Sequence, residues 1–527
     1  MSETTSDVAM SGNLKLPSRP FVDCPINNLP IELLGQIFSW GVYADVNDDD
    51  AEDFREEKDT PESISWMNED LDEEDEDDRS VNENDLNANP PSELQPRMPF
   101  QVLVSHVCRF WRDVALNMPS LWTNLDFTEG PPFMKSSVWI QRSQNLPLDI
   151  HIDCGGSDDD DDDDETSTVS EFSDSIASTE DLIVVLDLIV PHVARWRSLR
   201  VAVESYDYMH LTLTWLSKCP AAPQLECLHL SHHDDADTSE LFQPEHLRDF
   251  FLPFHGIAPK LHYVNLWGVH IMWSAPFLSG LTDLELAYHS RDVSPSWEDF
   301  SRILRNSPNL DTLGLCMSGP ETLPTDVTEE DVIDLPSLKS LVLSHQDAQH
   351  VSRLVKLLPT PNLRKLALDL DCDDFSSFMT ELATPSSDTK QSLLHGLEHL
   401  KITSLACDHR LVDRMYGQLV NLKSITLSCT FLHDDFFRKL IPTVGQSSST
   451  ALCPNLDMIT TSGIDGTLMK ELVVARKAAG FPIRSILMGE DDVVTNTTDK
   501  WLRANVQSFG YFEPSDEETD DEEEEEL

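Results

Sequence analysis

An eight-residue pattern, P-x-L-x-x-L-x-L, written repeatedly along the second half of the chain, constrains its fold more than any other feature. It stands as "PQLECLHL" at 223–230, "PNLDTLGL" at 308–315, "PSLKSLVL" at 336–343 and "PNLRKLAL" at 361–368, with Val264 in place of the middle leucine in "PKLHYVNL" at 259–266. Looser copies, "GLTDLEL", "GLEHLKI", "NLKSITL", "PNLDMIT" and "PIRSILM", fill the gaps. The first leucine or its equivalent falls at 225, 261, 281, 310, 338, 363, 397, 422, 456 and 483, in steps of 20 to 36 residues. An L-x-L triplet in an extended chain puts both leucines on one face. The text between several copies carries helical stripes instead, such as Val351, Leu354, Val355 and Leu358, or Phe375, Phe378, Met379 and Leu382. A strand and a helix of this size cannot bury their apolar faces alone, so neighbouring copies must stack.

The pattern resembles an irregular leucine-rich repeat solenoid, and the resemblance covers 181–512. A bare L-x-x-L-x-L is common, but ten spaced copies are not. An ordinary α/β domain with leucine-rich strands is the alternative. Either way the expected class is α/β, and 527 residues with 40% hydrophobic content suffice for more than one core.

Charge marks the joints. Of 95 acidic residues, 19 lie in 45–78, 8 in 158–165 and 11 in 513–526. Blocks of this kind cannot bury enough apolar surface to offset their ordering entropy, so 1–23, the insertion 45–97, the linker 155–180 and the tail 513–527 are expected to be disordered. Outside the three acidic runs 57 acids still face 35 bases, a balance of −22 within a net charge of −58. Phosphate backbones are repelled by such a chain, and no nucleic-acid partner is expected. The ten cysteines show no C-x-x-C pair and read as reduced thiols. The first twenty residues hold no apolar run, and "LIVVLDLIVPHV" at 182–193 is too short to cross a bilayer. The expectation is a cytoplasmic or nuclear protein with no membrane partner.

Two apolar stretches at the front need a partner surface. In "NLPIELLGQIFSW" at 28–40, Pro30 suits a first helical turn, and Leu33, Leu34, Ile37 and Phe38 form a narrow stripe. In "VSHVCRFWRDVALNMPSLW" at 104–122, Val104, Val107, Trp111 and Val114 follow at helical spacing. Joined across the acidic insertion, the pieces read L-P-x-E-L-L-x-x-I-F and then V-S-x-V-C-R-x-W-R-x-V-A, closing on "PSLW". This resembles the F-box, a helical module that docks on the Skp adaptor of cullin-RING ubiquitin ligases, with its parts at 24–44 and 98–128. Leu29 and Pro30 match the leading pair, Glu32 the acidic position, Ile37 and Phe38 the end of the first helix, and Val107, Cys108, Arg109 and Trp111 the closing motif. The departure is spacing, because Leu29 and Val107 lie 78 residues apart. The acidic block accounts for the excess, and loop-closure entropy grows only slowly with length. "RSQNLPLDIHID" at 142–153, in a connecting strand region 129–154, and "VPHVARWRSLRVAV" at 190–203 are similar to the layout of F-box-like proteins of mushroom-forming fungi.

The resemblance implies a Skp-type adaptor, and through it a cullin, held by Leu29, Pro30, Ile31, Leu33, Leu34, Ile37, Phe38, Val107, Cys108 and Trp111. It implies an unidentified target protein held by the repeats. Trp111 and Trp122 read first as core residues of a small module, and Cys108 as a small apolar one. His232 and His233 beside Asp234 and Asp235 read as turn residues rather than metal ligands. There is no G-x-x-x-x-G-K-[ST] loop, G-x-S-x-G elbow or H-E-x-x-H helix, so no catalytic, cofactor or metal site is expected. Two other readings remain: a repeat scaffold without a ligase role, and an acidic module that binds basic proteins.

Overall fold

The computed structural model describes residues 26, 29–49, 98–154, 176–232, 241–325, 328–371, 373–385, 391–442 and 452–512. The stretch 1–23, the tail 513–527, and the acidic runs at 50–97 and 155–175 lie outside the described residues. The rest falls into two compact units, one from 29–49, 98–126 and 133–149, the other from 127–132 and 150–512.

In the smaller unit, helices from both sides of the acidic insertion pack together: α1 (Ile31–Asp49), α2 (Phe100–Val107) and α3 (Arg109–Leu116). The first helix runs past residue 44 to Asp49, into the stretch expected to be disordered. Its inward residues are Leu34, Phe38 and Val42, one turn apart, and the Phe38 ring meets Trp111 with centroids 5.1 Å apart. Gly41 lets α1 approach α2 closely, since a Cβ there would stand 2.1 Å from the Phe100 ring. The stretch 104–122 is not one helix. Cys108 is extended (φ −159°, ψ 169°) and separates α2 from α3, so the stripe through Val104, Val107, Trp111 and Val114 is broken and Val107 is exposed. The break is capped on both sides: the Cys108 sulfur accepts the Trp111 N–H at 3.5 Å, and Arg112 Nε donates to the Ser105 carbonyl at 2.9 Å. Below lie the 3-10 turn Pro119–Trp122, β1 (Asn124–Asp126) and α4 (Met134–Arg142). Trp122 is fully buried, donates its indole N–H to Ala115 O at 3.0 Å, and meets Trp139 edge-on at 5.6 Å.

The larger unit is a parallel sheet in strict sequence order. It holds the part of β2 (Leu148–Cys154) from Ile150 on, β3 (Trp196–Val203), β4 (Cys227–His232), β5 (Tyr263–Trp267), β6 (Asp283–Ala287), β7 (Thr312–Cys316) and β8 (Ser340–Ser344). It continues with β9 (Lys365–Leu370), β10 (His399–Leu405), β11 (Ser424–Ser428), β12 (Met458–Ser462), β13 (Ser485–Gly489) and β14 (Ser508–Phe512). Between strands run α5 (Thr179–Ile189), α6 (Tyr206–Lys218), α7 (Trp297–Arg305), α8 (Ala348–Leu357) and α9 (Ser376–Leu382), then α10 (Val412–Gln418), α11 (Asp435–Arg438), α12 (Gly466–Ala479) and α13 (Asn496–Asn505). Each of the ten copies of the leucine pattern holds one of the strands β4 to β13. A strand and its crossover stacking only on their neighbours is the arrangement of a repeat solenoid.

The register explains the pattern. Leu228, Val264, Leu284, Leu313, Leu341 and Leu366 align across β4 to β9, and Leu230, Leu266, Leu286, Leu315, Leu343 and Leu368 form a second row two residues on. All are buried. The turn before several of the strands carries its own fastening. Asn362, Asn421 and Asn455, each the residue before the first leucine, donate side-chain N–H groups to Pro336 O, His395 O and Val420 O of the preceding repeat at 2.8, 2.9 and 2.8 Å. The residue after that leucine extends the ladder, as in Arg364 N–H to Lys339 O and Lys423 N–H to Glu398 O, both 2.8 Å. Its side chains form ion pairs between neighbouring repeats: Lys339 pairs with Asp311, Glu398 with both Arg364 and Lys423, and Arg484 with Asp457.

Candidate functional site

The helical unit presents an apolar surface that its own packing leaves over. The four residues read as one stripe on α1 divide between two faces. Leu34 and Phe38 are fully buried, whereas Leu33 and Ile37 are 47% and 36% exposed. Trp40, 70% exposed, continues this outer row at i, i+4, i+7 spacing. Pro30 and Ile31 are exposed at the head of the helix, and Leu29 is half-buried with its N–H on Ile26 O at 3.1 Å. On α2, Leu103 and Val107 are exposed one turn apart. Cys108 and Trp111 are half-buried, the first as a cap and the second against Phe38. Of the ten residues assigned to a partner surface, therefore, Leu34 and Phe38 hold the unit together, and Pro30, Ile31, Leu33, Ile37 and Val107 are available at its surface. Trp40, Tyr43 and Leu103 are further exposed apolar residues that the motif comparison did not mark. The row from Leu33 through Ile37 to Trp40 was present in the sequence as a second helical period.

A second surface lies on the sheet. Residues between the core leucines point the other way, giving rows such as Ser198, Cys227, Tyr263, Asp283, Thr312, Ser340 and Lys365. The carboxylates of this face have local donors: Thr282 to Asp283 at 2.6 Å, Asn265 Nδ2 to Glu285 at 3.0 Å, and Ser404 to Asp369. At the ends of β6, β7 and β8, Tyr288, Met317 and His345 take left-handed backbone conformations (φ 52°, 42° and 50°). This turns their N–H groups back onto the next strand, at Cys316 O, Ser344 O and Asp369 O, 2.8 to 2.9 Å away. Bulky residues seldom adopt such angles, and three in adjacent strands mark a strained rim. At the corresponding place after β5 stands Gly268 (φ 61°).

Beside that rim lies a buried polar cluster. The Tyr206 hydroxyl meets His270 Nδ1 at 3.1 Å, while His289 bonds Ser318 Oγ at 2.7 Å and Val269 O at 2.9 Å. Burial pushes the His270 pKa down to about 3 and that of His289 down to about 4, so both rings are neutral at pH 7. His232 closes β4 with its ring edge-on to Tyr206 at 5.2 Å, and 233–235 lie outside the described residues. Among the described residues no group of three His, Cys, Asp or Glu side chains is placed to hold a metal ion, and no helix is long and apolar enough to cross a membrane.

No family model matches the chain, and no curated protein does. Among solved structures it is similar to a chain in a crystal structure of the Rad7 and Elc1 complex in yeast, with 14% identity and a TM-score of 0.28 over 61% of this chain and 77% of that one. Similarity at that level carries no argument about fold or partners.

Proposed function

We propose that the chain is a non-catalytic substrate-recognition subunit of a Skp-cullin type ubiquitin ligase, acting in the cytoplasm or nucleus. The helical unit takes a Skp-type adaptor, and the strand face of the repeats takes a target protein. One observation carries this reading: α1 uses Leu34, Phe38 and Val42 for its own packing and still offers Leu33, Ile37 and Trp40 as an ordered apolar row. An amphipathic helix with a second anchor row at i, i+4, i+7 suits a helix-binding groove. The F-box resemblance of 28–44 and 98–125 supplies the adaptor as the owner of that groove. Such a subunit needs no active site, because holding target and conjugating machinery together raises their effective concentration.

The test is binding of the full chain to a purified Skp-type adaptor by titration calorimetry. Replacing Leu29 and Pro30 together by Ala, or Leu33 and Ile37 together by Ser, should weaken the complex by about 2 kcal/mol, the loss expected for a small buried anchor cluster. Helix content should stay unchanged, since Leu34 and Phe38 are untouched. Wild-type affinity in both variants rejects the adaptor assignment.

A further inference from the structure

Among the described residues β14 is the last strand of the sheet, so it pairs with β13 along one edge only. The Ser508 N–H donates to Arg484 O at 3.0 Å and Phe512 O accepts the Glu490 N–H at 2.9 Å, so both residues face β13. Backbone groups alternate in direction along a strand, which turns the N–H and C=O of Phe509 and Tyr511 to the other edge. Arg503 of α13 bears this out, since its Nη1 reaches the Phe509 carbonyl at 3.2 Å. That guanidinium is aimed by Asp499, whose two oxygens each accept its Nε–H at 3.1 Å, and it lies over the Phe509 ring at 5.2 Å. The Tyr511 hydroxyl donates to the same carboxylate at 3.2 Å. Among the described residues no strand or side chain takes the Tyr511 backbone N–H or C=O.

Near the start of this edge the charges are matched, Arg503 with Asp499 and Arg484 with Asp457. Past its end they are of one sign. Glu490 and Asp491 are exposed in the stretch 490–495, which holds no base, and the sequence continues from Phe512 with eleven carboxylates in 513–526. On the strand face the edge shows Ser508, Gly510 and Phe512. Gly510 leaves a gap there, and a Cβ in it would stand 3.2 Å from Cδ2 of the half-buried Leu487. We propose that the outer edge of β14 is a docking site for an extended, basic segment of a partner protein, added to the sheet as a further strand. Its large apolar residue falls in register with Gly510 and meets Leu487, and its Lys or Arg residues lie beside Glu490 and Asp491. Backbone pairing supplies the affinity and alternate side chains the selection. A carbonyl oxygen has two lone pairs, so the incoming N–H shares Phe509 O with Arg503. A second copy of this chain, at a net charge of −58, is repelled where a basic segment is attracted. The site lies at the end of the repeats, and the proposal stands whether or not the helices bind an adaptor.

The probe is a fluorescent peptide of alternating Thr and Val with one central Phe and lysines at both ends, titrated into the full chain and followed by anisotropy. It should bind, whereas the same peptide with Glu for Lys, or with every Thr and Val amide N-methylated, should bind at least ten-fold more weakly. The N-methylated peptide keeps the charge and loses only the backbone donors, so it separates strand addition from general attraction to an acidic chain. Tyr511→Pro should weaken binding of the lysine peptide at least ten-fold as well. The Tyr511 N–H faces away from β13, so this change removes an outward donor without breaking a sheet bond, and the thermal unfolding midpoint should stay at the wild-type value. Tyr511→Phe, which keeps the N–H, should bind like the wild type, and adaptor affinity should be the same in all three chains. No binding of the lysine peptide, equal binding of the Glu or N-methylated peptide, or wild-type affinity in the Tyr511→Pro chain overturns the proposal. If Tyr511→Pro lowers the midpoint, the N-methylated peptide on the wild-type chain decides.

Discussion

His289 and Arg476 show how buried polar residues are satisfied inside the repeats. Arg476 is fully buried and spends its guanidinium on four backbone carbonyls: Phe481 O at 3.2 Å, Leu440 O at 3.4 Å, Leu452 O at 3.3 Å and Cys453 O at 2.8 Å. Its planar fork of donors matches such a set as no ammonium could. In the sequence it sits in "ELVVARKAA" beside Lys477 like any helix-surface cation, and nothing local says that carbonyls from 440, 452 and 453 converge on it. His289 makes a prediction. Its folded pKa, about 4, lies below the ordinary 6.5, so on acidification the unfolded chain takes up a proton before the folded one does. The effect is nil above pH 6.5, and stability falls as pH drops from there toward 4, by up to about 3 kcal/mol. Urea unfolding at pH 7 and pH 4.5 should show a smaller loss for His289→Gln than for the wild type. Carboxylate titration is common to both chains, so the difference isolates the ring; equal losses would reject the assignment.

At the scale of elements, the strands were the legible part, because an L-x-L step declares its period within five residues. Helix faces were less so. Leu33, Leu34, Ile37 and Phe38 looked like one stripe, yet a helix apolar on two sides divides them, and only burial tells which pair faces inward. The break at Cys108 left no Gly or Pro signal. It depends on a sulfur cap and on Arg112 reaching back to Ser105. β12 shows a departure of the opposite kind. Its copy, "PNLDMIT" at 454–460, is followed by Thr461, which stands in the row held by Leu427 on β11 and Met488 on β13. Thr461 is fully buried, and its hydroxyl has no hydrogen-bond partner. Desolvating a hydroxyl without a partner is unfavourable, so Thr461→Val, nearly the same in shape, should stabilise the repeats by about 1 kcal/mol. Thermal unfolding followed by far-UV circular dichroism checks it, and a lowered midpoint would mean the hydroxyl is satisfied after all.

For the whole molecule, strict sequential order means that each repeat is stabilised by its two neighbours and by little else. β14 follows that rule without the leucine signature. Phe509 and Tyr511 take the places that Ile486 and Met488 hold on β13, which is why the leucine pattern stopped one strand early. Among the described residues no strand lies beyond β14, so its outer edge offers a row of backbone donors and acceptors, with Tyr511 and Phe512 only half-buried. Directly after it the chain carries eleven carboxylates in 513–526. Removing 513–527 should therefore produce concentration-dependent association in sedimentation experiments, growing with ionic strength as the remaining charge is screened. A monodisperse truncated chain would refute this. A sheet extended by one parallel strand per repeat has no geometric stopping rule. Further strands from other molecules could add to it indefinitely, as monomers add to a filament. Truncation at 512 is thus expected to turn that edge into a growth point for such a filament.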